Sequence, residues 1–203
     1  MALNIDIGTV KSQLNSFVAK TGECVSIMKK INNDYIEATQ QEWNTPAAAT
    51  YIDGLCGAFN DYISQFNSKF QEGIDDFVAG VNALTENENA EIVSNVSIEL
   101  LPELSKSWSG NSTQFNIPEN YEGFTNVNLT GNIGELSVTL DGMQDCINTA
   151  VQSGLADSFC TNLRSSLEAL KASAAEIANE YSGKAAERAV NQDTNISTIK
   201  SNT

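Results

Sequence analysis

Cys146 and Cys160 lie seven residues either side of Ser153. If the chain turns back on itself there, an antiparallel pair of helices sets both at one height, where a disulfide is geometrically allowed. Such a bond would be an oxidative staple, formed only in an oxidising compartment. The competing reading is two small buried thiols, since free cysteine is commonly buried and a cytoplasm keeps thiols reduced. Cys24 and Cys56 are not symmetric about the bend at Trp43–Pro46 and read as core residues. No C-x-x-C pair exists and the chain contains no His, so the pattern holds neither the usual zinc ligands nor the commonest general base. Ser and Thr are plentiful but lack that base to activate them. Asp75-Asp76 and Glu86-Asn87-Glu88 are neighbours on a helical pattern and do not face one point, which makes them a solvated face. The expectation is a protein that is not an enzyme, with no cofactor and no metal.

The elements that carry these residues are helical. Trp43-Asn44-Thr45-Pro46 separates two long helical patterns. Pro at the first helical position loses nothing, because its missing N–H would be unpaired anyway. Asn44 or Thr45 can cap the new helix by accepting from its free amides. The tetrapeptide therefore predicts a sharp bend with a large aromatic in it. Before it, a seam of Leu14, Val18, Thr21, Val25, Met28, Asn32 and Tyr35 runs at steps of three and four. After it comes Leu55, Phe59, Tyr62, Phe66, Phe70, Ile74, Phe77, Val81 and Leu84. Gly54, Gly57, Gly73 and Gly80 weaken that second helix by roughly 1 kcal/mol each relative to Ala, so they mark a bend or the close approach of another helix.

The pattern breaks over 91–133, a linker with a short amphipathic helix expected at 92–107 and an irregular aromatic-bearing segment after it. Helical periodicity resumes at Leu136, Leu140, Met143, Ile147 and Val151, stops at Gln152-Ser153-Gly154, and continues through Phe159, Leu163, Leu167, Leu170, Ala174 and Ile177. The residues beyond Asn191 are polar and expected to fray. The fold class that follows is all-α: two antiparallel helical hairpins (1–90 and 134–203) forming a four-helix bundle around an irregular insertion.

Composition narrows the partners. The net charge is −15, from 26 acidic and 11 basic residues among 203. Nucleic acids and anionic lipid surfaces are held chiefly by Lys and Arg, so neither is expected. No apolar stretch is long enough to span a membrane, and no basic-then-apolar leader is visible at the N-terminus. The protein is expected in the cytoplasm at synthesis, with any export proceeding without a cleaved signal peptide.

At an offset of 108 the second bend superposes on the first. Val151 falls on Trp43, Gly154 on Pro46, Ala156 on Ala48 and Phe159 on Tyr51; Leu163, Leu167 and Leu170 then meet Leu55, Phe59 and Tyr62. Trp43-Asn44-Thr45 with Ala47 and Tyr51 resembles the bend of the WXG or ESAT-like type VII secretion family, with Thr in place of Gly. Gln152-Ser153-Gly154 with Ala156 and Phe159 resembles it with the Trp lost. The resemblance covers about 10–90 and 134–190 and implies a fused pair of hairpins, where family members are half this length and pair as antiparallel dimers. It implies a secretion substrate, or a partner or chaperone of one, that works by contact with another helical secretion component; a homodimer is also left open. The family's Tyr-x-x-x-Asp/Glu export signal is absent, Ala185 standing four residues after Tyr181. The residues expected to bend the chain or meet a partner are Trp43, Thr45, Pro46 and Gly154. Trp108-Ser109-Gly110 spells the motif literally, but Pro118 follows too closely for a second helix, and an aromatic anchoring the linker is the expectation. The alternative function is a structural or adaptor coiled-coil protein unrelated to secretion.

Overall fold

A computed structural model describes residues 4–118, 120–152, 154 and 157–201. Its described residues are helical or irregular, with no strand among them. Among the described residues there are four long helical segments. The first is α1 (Ile7–Lys30), a π-helical turn (Ile31–Glu37) and α2 (Ala38–Glu42); the second is α3 (Pro46–Asn87). The third is α4 (Tyr121–Thr125), a π-helical turn (Asn126–Thr130) and α5 (Gly131–Gln152). A short 3-10 turn (Asp157–Cys160) leads into the fourth, α6 (Thr161–Ser201). The all-α class expected from the periodicity is therefore present. The residues beyond Asn191, expected to fray, are helical to Ser201.

Two compact units share these elements. The first comprises Met1–Ser26, Asp61–Pro102 and Leu136–Ser173; the second comprises Ile27–Asn60, Glu103–Glu135 and Ala174–Thr203. Each draws a stretch from all four helical segments, so the units interleave along the chain and do not follow the division at 90 and 133.

In the first unit, the buried row of α1 is Val10, Leu14, Phe17, Thr21 and Cys24, with Val18 and Val25 half-buried. The expected seam shares Leu14 and Thr21 but takes its intervening steps one residue late. A three-then-four step reaches Phe17, whose large ring packs edge-on against Phe70 with centroids 5.6 Å apart. On α3, Phe66, Phe70, Ile74, Phe77 and Val81 are buried as expected, while Leu84 is half-buried. Glycine permits close helix approach at Gly80, where an added Cβ would lie 2.6 Å from the Phe159 ring.

The chain after α3 departs most from expectation. Residues 92–107 are extended and form no helix. Ile92, Val93, Val96 and Ile98 are poor helix formers, and Pro102 biases Leu101 away from helical backbone. Val93, Ile98 and Leu101 are buried, and α3 supplies what their backbone needs. The Asn82 carboxamide accepts from Val93 N–H (2.7 Å) and donates to Val93 C=O (2.8 Å). Asn67 does the same for Leu101, at 2.8 and 3.1 Å. Gln71 accepts from Ile98 N–H at 3.1 Å and donates to Val96 C=O at 3.3 Å. Thr21, a polar break in the α1 seam by sequence, accepts from Glu99 N–H at 2.8 Å. An unpaired buried peptide group is costly, so this polar row on α3 is what lets an extended strap lie along helices.

In the second unit, the same device recurs once: Asn60 accepts from Leu104 N–H at 2.8 Å and donates to its C=O at 3.0 Å. Helix resumes at Tyr121, earlier than expected, with the Asn120 side chain accepting from Gly123 N–H at 2.8 Å as its cap. Tyr121, Thr125, Leu129 and Ile133 are buried at successive steps of four. That spacing passes through the π-helical turn, whose wider winding hides the ordinary helical period. The other π-helical turn buries Ile31, Tyr35 and Ile36.

Candidate partner-binding site at the Trp43 bend

The bend forms where the sequence places it. α2 ends at Glu42, Trp43 leaves helical geometry with φ −142° and ψ 74°, and α3 starts at Pro46. Of the two expected caps, Thr45 serves: its hydroxyl accepts from Ala48 N–H at 3.0 Å. Asn44, in the bend, pairs through its backbone with the segment that the sequence marks as linker. Asn44 N–H donates to Asn116 C=O at 3.1 Å, and Asn111 N–H donates to Asn44 C=O at 3.2 Å. Gly110, at φ +80°, makes this approach available, because a Cβ there would sit 2.3 Å from the Thr45 carbonyl.

Trp43 itself is only 3% exposed. Its ring meets Tyr51 at 5.3 Å and Tyr121 edge-on at 5.0 Å, and the Arg188 guanidinium lies over it at 5.2 Å from the centroid. Beneath this cluster runs a chain of hydroxyls. Tyr51 donates to the Tyr181 carbonyl at 2.9 Å, Tyr35 meets Tyr51 at 2.9 Å, and Thr125 meets Tyr35 at 3.0 Å. Burial first, and then the neighbouring Tyr35, push the Tyr51 phenol well above its ordinary range. Burial likewise raises Tyr121, with Arg188 opposing it. Trp108 is buried nearby in the same unit, its Nε1 donating to Ile36 C=O at 3.4 Å, with Lys106 over its ring. It anchors the strap and bends no hairpin.

A cleft of about 600 Å³ opens beside the bend, with Trp43, Thr45 and Pro46 on one side. Phe115 and Asn111 come from the irregular segment, and Arg188, Asn191, Gln192 and Asn195 from α6. Phe115 is 55% exposed. Arg188 is the single formally charged group among the described residues lining the cleft. The sequence leads to a fraying tail beyond Asn191 and to an irregular segment around Phe115, not to this surface; the signal that could find it is the i, i+3, i+4, i+7 spacing of Arg188, Asn191, Gln192 and Asn195.

The second bend belongs to the first unit. Gly154 adopts φ +102° and donates to Val151 C=O at 3.1 Å, and a Cβ there would meet the Asn4 carbonyl at 2.0 Å. Ser153 and Ala156 lie outside the described residues, so the repeat can be followed only through its flanks. Leu163, Leu167 and Leu170 are buried like Leu55, Phe59 and Tyr62, whereas Val151 is half-buried where Trp43 is buried. Cys146 and Cys160 are buried thiols, as are Cys24 and Cys56. Burial pushes Cys24 up to about 12 and Cys56 to about 11, which leaves both inert as nucleophiles at neutral pH.

No helix among the described residues is long and apolar enough to cross a membrane, and none of their Cys, Asp and Glu side chains group to hold a metal ion. Comparison with protein-family models, curated proteins and solved structures gave no match.

Proposed function

We propose that this chain works by protein–protein contact as a component of type VII secretion, either exported or assisting the export of another helical protein. The observation that carries the reading is the bend. A Trp is held at the junction of two helices, Thr45 caps the second, and Ala48 and Tyr51 are buried in its first turns. The placing of Trp43 and Tyr51 supports the WXG-like resemblance, while Thr45 stands where the family has Gly and Ala47, its other motif position, is exposed. The acidic surface and the absence of His fit a binding role better than a catalytic one. Because Trp43 is enclosed, contact with a partner falls to the exposed rim of its cleft, Phe115 above all.

The test is made in the producing bacterium by inactivating the membrane ATPase of its type VII system. The chain in the medium, or a co-exported helical protein that depends on it, is expected to fall to background. Unchanged extracellular levels of both, with the ATPase inactive and the chain deleted in turn, would overturn the reading.

A further inference from the structure

We infer that the cleft beside Trp43 binds an acidic peptide segment: a carboxylate side chain next to an aromatic or large apolar one. The inference deepens the partner-binding reading above by naming the chemistry of what is bound.

Arg188 carries the argument. It is one of two arginines in a chain of net charge −15, yet among the described residues no carboxylate pairs with it. Its guanidinium instead lies over the Trp43 ring. A guanidinium held over a ring still has N–H donors to offer a planar oxyanion. The described lining of the cleft contains no Asp or Glu, although the protein carries 26. Among those described residues, a carboxylate entering it meets one cation and no like charge. Asn111, Gln192 and Asn195 offer neutral amides that can pair with peptide backbone, and Phe115 offers an exposed ring beside them. An aromatic shelf, amides for a main chain and one cation together suit a short peptide better than a bare ion.

The experiment is an array of capped hexapeptides with Glu, Gln, Lys or Ser beside Phe or Ala and randomised flanks, probed with the full chain. Phe–Glu members are expected to bind roughly tenfold more strongly than their Phe–Gln counterparts, as a charge-assisted pair requires. Arg188→Gln should abolish the preference for Glu, and Phe115→Ser the preference for Phe. Phe115 is exposed, so that variant keeps its fold even if Arg188→Gln does not. Equal binding to Glu and Gln members, no binding, or a preference for Glu unchanged in a folded Arg188→Gln would overturn the proposal. So would displacement of the best peptide by excess inorganic phosphate as effectively as by free peptide, which would mark a general anion site. A dimer in sedimentation that Phe115→Ser dissociates would instead make a second copy the occupant. Loss of peptide selectivity with export intact, or the reverse, separates this inference from the secretion reading.

Discussion

The Tyr51 hydroxyl donates to the backbone carbonyl of Tyr181 at 2.9 Å, and that one contact sets the direction of every proton in the buried chain behind it. A carbonyl can only accept, so Tyr51 spends its single proton there. Tyr35 must then donate to Tyr51, and Thr125 to Tyr35. Four groups in the second unit are satisfied in one sense only, without an orphaned hydroxyl.

Removing the middle of that chain should cost more than removing its end. Tyr51→Phe leaves the Tyr35 proton and the Tyr181 carbonyl both without their partner, for a loss of about 2–4 kcal/mol. Thr125→Val removes only the terminal donor, for about 1 kcal/mol or less. Equilibrium urea melts of both variants and the double variant check this; equal losses would mean the chain has no preferred direction.

The strap rests on single side chains to an unusual degree. Asn67→Ala strips the partners from both Leu101 N–H and C=O, and about 2–4 kcal/mol should be lost. Asn67→Asp still offers an acceptor to the N–H but sets a carboxylate oxygen against the Leu101 carbonyl. It should be no better than Ala. Hydrogen exchange at Leu101 and Ile98 should quicken in both, and unchanged protection at Leu101 would remove Asn67 from the account.

Stability should decline on the alkaline side. Cys24 is held near 12 against an ordinary 9.0, chiefly by burial, and Tyr35, Tyr51 and Tyr62 are raised above 10.0 for the same first reason. Raised values mean that the folded state keeps protons the unfolded chain releases. The contribution is whole below the unfolded values and falls as pH passes them, by about 1.4 kcal/mol per pH unit for each fully titrating group. For Cys24 the window runs from pH 9.0 to about 12. Melting temperatures taken across it should drop, and Cys24→Ala should flatten the early part of the decline. An unchanged slope in that variant would exclude the thiol.

Helix was legible wherever one apolar row faced one neighbour. Leu55 and Phe59 in the second unit and Tyr62 to Val81 in the first follow a simple period, because each unit buries the α3 side chains of that face. The bend was legible too, since Pro46 and Thr45 act on backbone within a few residues. The helical start at Tyr121 was hidden because a π-helical turn advances the phase of the buried face. The strap at 92–107 was hidden because its backbone partners, Asn67, Gln71 and Asn82, lie far off in sequence and read there as ordinary surface polar residues.

By itself, then, the sequence determined what depends on neighbours along the chain: the all-α class, the α3 seam, the capped bend with its Trp, and an acidic surface without His. Only the tertiary structure decided that Trp43 is enclosed, that Asn44 pairs with Asn111 and Asn116, and that Arg188 lies over the Trp43 ring. Those relations join residues from about 70 to 145 positions apart, and no local rule of propensity, capping or period acts across such separations.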